Sequence, residues 1–154
     1  PRLDAASGSV VVAVGRGDDR AAFLLGAALA RGGRRLVLVD RSAEGFSSPY
    51  GDLRGDDTSR PSPDRLFDEV LARREGRGGT ATLLEAARAA GIDAGGWFPV
   101  RAGGDGIAEA VRRFSGAVVI LPGETRRPSL AERIRGMTSD RVQELAGVPV
   151  LIAD

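Results

Sequence analysis

The sequence predicts an α/β protein in which helices cover both faces of a five-stranded parallel β-sheet. Continuous apolar runs, which are typical of strands buried on both faces, alternate along the chain with segments of helical periodicity. This alternation is the pattern of right-handed crossovers between parallel strands, and it predicts a doubly wound sheet. The five strands are expected at Val10–Val14, Leu36–Val39, Trp97–Val100, Val118–Leu121 and Val148–Ile152.

The helices are placed by their apolar spacing and by the residues that start or stop them. Gly32 and Gly33 end the first helix, and the glycine-rich stretch Gly76–Gly79 either kinks the second or breaks it into two. One residue of the run Thr138–Asp140 is expected to cap a last helix that ends at Leu145. The other helices are expected at Ala21–Ala30, Asp64–Ala90, Ile107–Phe114 and Leu130–Ile134.

Two segments differ from the rest of the pattern. The third strand, Trp97–Val100, is weaker and more polar than the others, so we expect it near an edge of the sheet. The stretch Arg41–Pro63 is rich in Ser, Asp, Gly and Pro and has few apolar residues. It is predicted to be a long loop and the least ordered part of the chain.

Composition narrows the function. The 154 residues fit a single domain, 1–154, that is large enough for a real core. There is no Cys and no His, and all 22 basic residues are Arg, which excludes thiolate nucleophiles, His bases, Schiff-base chemistry and the usual zinc ligands. We therefore predict that the protein is not an enzyme and has no metal site. The net charge of +1 is spread along the chain and predicts no nucleic-acid partner.

The location is predicted from what the sequence lacks. No apolar run reaches the ~20 residues of a membrane span, and no signal peptide is visible, so the cytoplasm is the expected compartment. The chain starts at Pro1 and not at Met. It is therefore open whether this is a processed protein or a domain excised from a larger one, such as the soluble tail of a transporter.

A dinucleotide site is one alternative at the end of the first strand. Gly15 and Gly17 begin a G-x-G-x-x-G pattern, and Asp40 ends the second strand where an NAD-binding fold places its ribose-binding acid. The third glycine of the pattern is Arg20, however, which favours an ordinary turn between strand and helix. Asp18 and neighbouring acids could ligate Mg²⁺, but acids at a helix start are favoured without a metal.

The C-terminal third carries a resemblance to a known family. The string GETRRPSLAERIRGMTSDRV, residues 123–142, follows a buried strand and is itself followed by GVPVLI, residues 147–152. This region resembles the closing part of the universal stress proteins, in which a glycine loop and a capped helix lead to a last strand of the PVLVV type. The run VAVGRG at 12–17 and the turn Gly104-Asp105-Gly106 match the family's order as well.

The resemblance implies a Rossmann-like fold of the adenine nucleotide alpha hydrolase type, with strand order 3-2-1-4-5. It also implies a position for ATP. Members that bind ATP share G-x-x-G-x(9)-G-[ST] after the fourth strand, where glycine backbone N–H groups approach the phosphates. Here Gly123 and Gly136 match, whereas Arg126 replaces a glycine and Met137 replaces the hydroxyl. Gly15 stands where the family usually has Asp.

The candidate nucleotide-binding residues implied by the resemblance lie at the carboxyl ends of the strands and in the loop after the fourth. Thr138 and Ser139 could supply the missing hydroxyl one or two residues late, or simply cap the helix. We expect no resident cofactor, and weak or absent ATP binding that improves if Arg126→Gly and Met137→Ser are combined. The candidates are Gly15, Asp40, Val100, Gly123, Arg126, Gly136, Met137, Thr138 and Ser139.

The function implied by the resemblance is that of a small cytoplasmic stress-response regulator that acts by binding. One form of this hypothesis is a protein with a degenerate nucleotide loop that acts through protein contacts, and another is an ATP-binding member with a divergent loop. Family members commonly dimerise through the last strand. Because Val148–Ile152 is apolar on both faces, we predict a two-fold homodimer through that strand.

Overall fold

The computed structural model describes residues 8–42 and 65–153. Its centre is a five-stranded sheet in the order β3-β2-β1-β4-β5, with every neighbouring pair parallel. The predicted α/β class, strand count, direction and order are therefore confirmed. The strands are β1 (Ser9–Val14), β2 (Leu36–Asp40), β3 (Ala94–Trp97), β4 (Gly116–Pro122) and β5 (Val150–Ala153).

Helices connect successive strands, and a short 3-10 turn at Gly123–Arg126 follows β4. The predicted helix Asp64–Ala90 is broken into two, because Gly76 takes a left-handed φ of 76° between them. Beyond Ser42, the predicted loop Arg41–Pro63 lies outside the described residues. The helices are α1 (Arg20–Ala30), α2 (Glu69–Arg74), α3 (Gly78–Ala89), α4 (Gly103–Arg113), α5 (Leu130–Ile134) and α6 (Ser139–Ala146).

The core lies in two layers, one on each face of the sheet. Alternate residues of β1 face opposite ways, so Val10 and Val12 pack with α1 and α3 while Val11 and Ala13 pack with α4 and α6. All six residues of β1 are buried. A central strand buried on both faces explains the unbroken apolar run from which it was predicted.

The third strand is shifted from its predicted position at Trp97–Val100 and runs through Ala94–Trp97. The two glycines of this strand are covered by side chains from before α2. Leu66 Cβ lies 2.5 Å from the place where a Cβ of Gly95 would stand, and the Phe67 ring lies against Gly96. Phe67 also exchanges two 2.8 Å backbone hydrogen bonds with Gly96. Glycine weakens an isolated strand, so this pairing could not be foreseen without the partner.

The start of α4 also differs from its prediction. The helix was expected from Ile107, but it begins at Gly103, and the expected turn Gly104-Asp105-Gly106 is its first turn. The N–H of Gly104 donates to the carbonyl of Arg135 at 3.0 Å, which fixes the helix start from a distant part of the chain. Residues 103 and 104 must be small here, because a Cβ on Gly104 would lie 2.6 Å from the carbonyl oxygen of Gly136.

Candidate functional site

The strand order places the topological switch point between β1 and β4. In doubly wound sheets, ligands bind outside the carboxyl ends of the strands at this point. Three segments meet there: the turn Gly15–Gly17 after β1, Arg41 and Ser42 after β2, and the 3-10 turn Gly123–Arg126 after β4.

Gly15 lies against the end of β2 and leaves no room for a side chain. Its φ is 97°, in the left-handed region, and its N–H donates to Oδ2 of Asp19 at 3.0 Å. A Cβ at this position would lie 2.7 Å from Oδ1 of Asp40 and 2.8 Å from the backbone nitrogen of Ser42. The aspartate that the resemblance expects after the first strand would therefore collide with the end of β2.

Asp40 holds neighbouring segments together. Its side chain is buried, with only 1% of the residue exposed. Oδ1 accepts hydrogen bonds from the backbone N–H and the hydroxyl of Ser42, at 2.9 and 2.5 Å. Oδ2 accepts one from the hydroxyl of Thr80 on α3, at 2.7 Å. A ribose hydroxyl would find these acceptors already engaged and buried, which argues against the dinucleotide alternative.

Asp19 lies half-buried at the start of α1, beside the turn after β1. Burial raises the pKa of its carboxyl above the ordinary 3.8, and the negative charges of Glu124, Asp40 and Asp18 raise the pKa further, while the N–H of Gly15 opposes them. Among the residues that the structure describes, Oδ1 of Asp19 is a buried oxygen that has no hydrogen-bond partner. The ionised carboxylate of Asp19 therefore lowers the stability of the folded protein.

Asp19→Asn is expected to raise the melting temperature at neutral pH by a few degrees, since ~1 kcal/mol corresponds to 2–4 °C in a chain of this size. A pKa raised by folding means that the folded state prefers the protonated acid, so the cost is full above the folded pKa and disappears below 3.8. The gain should shrink as the pH falls toward that value. Scanning calorimetry at a series of pH values measures it.

Asp18→Asn is the matched control, because Asp18 is the exposed neighbour of Asp19. It should change the melting temperature little at any pH. A stabilisation by Asp19→Asn that was equal at neutral and acidic pH would contradict the electrostatic explanation.

Three guanidinium groups meet at one carboxylate beside the switch point. Oε2 of Glu132, on α5, lies 2.9 Å from Nη2 of Arg41, and Oε1 lies 3.4 Å from Nη2 of Arg16 and 3.6 Å from Nη1 of Arg135. The Arg41 side chain is only 4% exposed, whereas that of Glu132 is 20% exposed. We call Arg16, Arg41, Arg135 and Glu132 the arginine cluster.

From its position in the sequence, Glu132 would be expected to cap a helix and not to contact arginines. It follows Ser129 by three residues, which is the spacing of a capping box at a helix start. Ser129 does cap α5, because its hydroxyl accepts from the N–H of Glu132 at 3.2 Å. The carboxylate of Glu132, however, extends to the arginines. The arginine cluster was missed in the sequence because its members are far apart, Arg41 and Glu132 being 91 positions distant.

The loop after β4 contacts the turn after β1. A Cβ on Gly17 would collide with the carboxylate of Glu124, so that carboxylate lies directly over the turn. Glu124 therefore reaches across from the β4 side of the switch point to the β1 side. In the same loop, the guanidinium of Arg126 donates from Nη2 to the carbonyl of Ile152 in β5 at 3.4 Å.

The second half of the glycine motif is built for packing and capping. Gly136 takes a left-handed φ of 73° at the turn between α5 and α6. Met137 is 2% exposed and packs in the core layer that contains Trp97 and Val142. The hydroxyl of Thr138 accepts from the N–H of Arg141 at 3.2 Å and so caps α6. The capping role of the run Thr138–Asp140 is confirmed.

An open groove of about 450 Å³ brings three of the predicted site residues together. Arg126, Thr138 and Ser139 line it along with Arg133. The other predicted residues lie elsewhere: Val100 is 71% exposed in the segment before α4 and does not line the groove. The full lining is Thr125, Arg126, Pro128, Arg133, Thr138, Ser139 and Ile152.

Two further observations concern the described ranges 8–42 and 65–153. Within them, no helix has both the length and the apolar character needed to cross a bilayer. In the same ranges, no three side chains among the His, Cys, Asp and Glu residues are grouped so that they could hold a metal ion.

Superposition on solved structures shows that this chain has the fold of the universal stress proteins. The structure of a universal stress protein from Archaeoglobus fulgidus superposes with a TM-score of 0.57 and 17% identity, covering 96% of this chain and 93% of that one. A structure of the universal stress protein from Archaeoglobus fulgidus in complex with dAMP gives a TM-score of 0.55 and 20% identity, covering 96% of this chain and 98% of that one. A universal stress protein in complex with cAMP gives 0.57 and 18%, with 96% of both chains covered.

The resemblance inferred from the sequence is thus confirmed at the level of the fold. No protein-family model matches the sequence. No curated protein sequence matches it significantly.

Proposed function

We propose that this chain is a universal-stress-protein-like regulator that acts by binding and not by catalysis, and that its own side chains occupy the nucleotide cleft of the fold. The arginine cluster is the observation that carries this proposal. Glu132 places a carboxylate on Arg16 and Arg41 beside the switch point, at 3.4 and 2.9 Å. A nucleotide phosphate entering there would have to displace this carboxylate, and it would meet the carboxylate of Glu124 over the turn after β1.

The side chains near the switch point support binding over chemistry. General bases and nucleophiles need a group that is accessible and within reach of a substrate. Asp40 is buried and fully engaged by Thr80 and Ser42, and Glu132 is paired with arginines. With no His, Cys or Lys in the sequence, few groups are left for catalysis. The cytoplasmic, stress-responsive role rests on the resemblance.

A two-fold homodimer through the last strand is part of the proposal. β5 is an edge strand of the sheet, and the predicted interface Val148–Ile152 overlaps it. Leu151, at its centre, is 41% exposed although it is a large apolar side chain. An apolar edge strand is a template for pairing with another chain, and pairing with a second copy removes this exposure.

Native mass spectrometry with and without ATP tests both parts of the proposal in one experiment. We expect the mass of a dimer at micromolar protein, without added nucleotide and without retained ATP after its addition. Titration calorimetry should give no saturable ATP binding at micromolar concentration, because the carboxylates of Glu124 and Glu132 repel the phosphates and Glu132 is already paired with arginines. A micromolar or tighter dissociation constant would contradict the occupied cleft, and a monomer would contradict the dimer.

A second candidate is an adenine-nucleotide-binding protein with a divergent loop. Two of the similar structures are complexes with dAMP and with cAMP. The groove with Arg126, Arg133 and the cap residue Thr138 favours a phosphate position in this chain, since guanidinium groups fork onto phosphate. If the titration shows binding, Arg126→Ala should weaken it by about 10- to 100-fold, the effect of one hydrogen bond to a charged group. Unchanged affinity for ATP would show that the groove is not the phosphate position.

A further inference from the structure

The strongest further feature is the geometry of the arginine cluster. Three guanidinium groups, which carry three positive charges, share one carboxylate. Oε1 is shared by Arg16 and Arg135, and Oε2 pairs with Arg41. A tetrahedral phosphate group offers three or four oxygens and up to two negative charges, so it matches three guanidinium groups better than a carboxylate does.

From this we propose that Arg16, Arg41 and Arg135 form an anion site for a phosphate group, and that the chain's own Glu132 fills the site as an internal ligand that a phosphate can replace. The inference rests on the proposed occupied cleft and deepens it, because it names the residue responsible. The proposed site would bind a phosphate group, either as inorganic phosphate or as part of a larger ligand.

Burial explains why the site favours an anion. The Arg41 side chain is almost completely buried, and a guanidinium that is removed from water is stabilised by negative charge beside it. Arg16 and Arg135 are 32% and 28% exposed, so the cluster opens to solvent on their side. An incoming anion can therefore reach the position that the carboxylate holds.

The helix that carries Glu132 is weakly anchored, which makes exchange feasible. α5 has five residues and buries none of them. Its apolar side chains Leu130 and Ile134 are 74% and 77% exposed. α5 is held by the Ser129 cap, by the contacts of the Glu132 carboxylate and by the N–H of Met137, which donates to the carbonyl of Glu132 at 2.8 Å. Withdrawing the carboxylate disturbs no core packing.

Glu132→Ala tests the inference by emptying the site. We expect a lower melting temperature in chloride buffer than for the wild type, because Arg16, Arg41 and Arg135 lose the carboxylate that they share. Millimolar inorganic phosphate at matched ionic strength should recover most of the loss, since a ligand that binds the folded state stabilises it. The variant should bind phosphate about 10- to 100-fold more tightly than the wild type.

Glu144→Ala is the matched control. Glu144 also pairs with an arginine at 3.1 Å, but that pair is on the surface, with side chains 49% and 70% exposed. Its removal should leave the phosphate response of the wild type unchanged. A second site variant, Glu132→Gln, keeps the shape of the side chain and removes its charge, so it reports on the site even if the alanine variant folds poorly. Both site variants should lose the phosphate response when Arg41→Met is added.

ATP and free adenosine separate the two sources of phosphate. If ATP stabilises Glu132→Gln more than inorganic phosphate does, the site belongs to a nucleotide, whereas an equal effect assigns it to phosphate alone; adenosine should have no effect in either case. Folded site variants that do not respond to phosphate or ATP would overturn the inference while the proposed function stands. Tight ATP binding by the wild type would instead contradict the proposed function.

Discussion

Gly103→Ala is expected to lower the free energy of unfolding by about 2–5 kcal/mol, one of the largest effects of any single methyl group added to this chain. Two costs add. The φ of Gly103 is 63°, a left-handed conformation that costs an L-residue roughly 1–2 kcal/mol. The new methyl group would also collide with the carbonyl of Arg135, whose carbon lies 2.8 Å from the position that the methyl carbon would take. Urea denaturation with a two-state fit measures the sum.

Gly91→Ala separates these two costs. Gly91 has a φ of 75°, but a Cβ there would meet no atom of the described ranges 8–42 and 65–153 within 4 Å. Its substitution should therefore cost only the roughly 1–2 kcal/mol of the backbone conformation. The difference between the two variants is the cost of pushing α4 away from the turn before α6. Equal losses would show that the close approach at Gly103 relaxes freely.

Met137→Ser should destabilise the protein by about 3–5 kcal/mol, because it removes most of a buried side chain and places a hydroxyl in an apolar layer. Met137 is 2% exposed and packs with Trp97, Ile107 and Val142. Met137→Leu is the control, since a volume-conserving swap costs less than about 1.5 kcal/mol. Thermal and urea unfolding of both variants measure the contrast, and a loss below ~1 kcal/mol for serine would mean that Met137 is not a core residue.

The same burial changes the expectation for nucleotide binding. The sequence alone predicted that Arg126→Gly combined with Met137→Ser would strengthen ATP binding. The Met137 side chain lies in the core and does not line the groove, so a serine at this position would not reach a phosphate in the groove. We now expect no gain in affinity from the double variant. Calorimetric titration of that variant with ATP, beside Arg126→Gly alone, tests this.

The architecture could be predicted because its signals are local. β1, β2 and β4 are central strands, and burial on both faces gives each a continuous apolar run. β3 was misplaced by three residues because its stability comes from Phe67 and from the packing of Leu66 over Gly95. The residues around 94–100 carry no sequence signal that predicts these contacts.

The site was predicted less well than the fold, for a related reason. The resemblance pointed to the loops at the carboxyl ends of the strands, and Arg126, Thr138 and Ser139 from that region line one groove. The arginine cluster was not foreseen, because Glu132 has the spacing of a helix cap and two of its partners, Arg16 and Arg41, come from distant segments. Charge spread evenly along a sequence gives no indication of which charges the fold will gather.

The antiparallel bridge between Phe67 and Gly96 limits how copies of this chain can join. A sheet with two free edges can add copies head to tail, β5 of one against β3 of the next, and such a chain of molecules has no natural end. Among the described residues, Phe67 occupies the β3 edge at Gly96, whereas β5 is the other edge strand, and the proposed dimer pairs β5 against β5. In the dimer that we propose, this contact is self-complementary and is used up after two molecules, so it would not extend into a fibre.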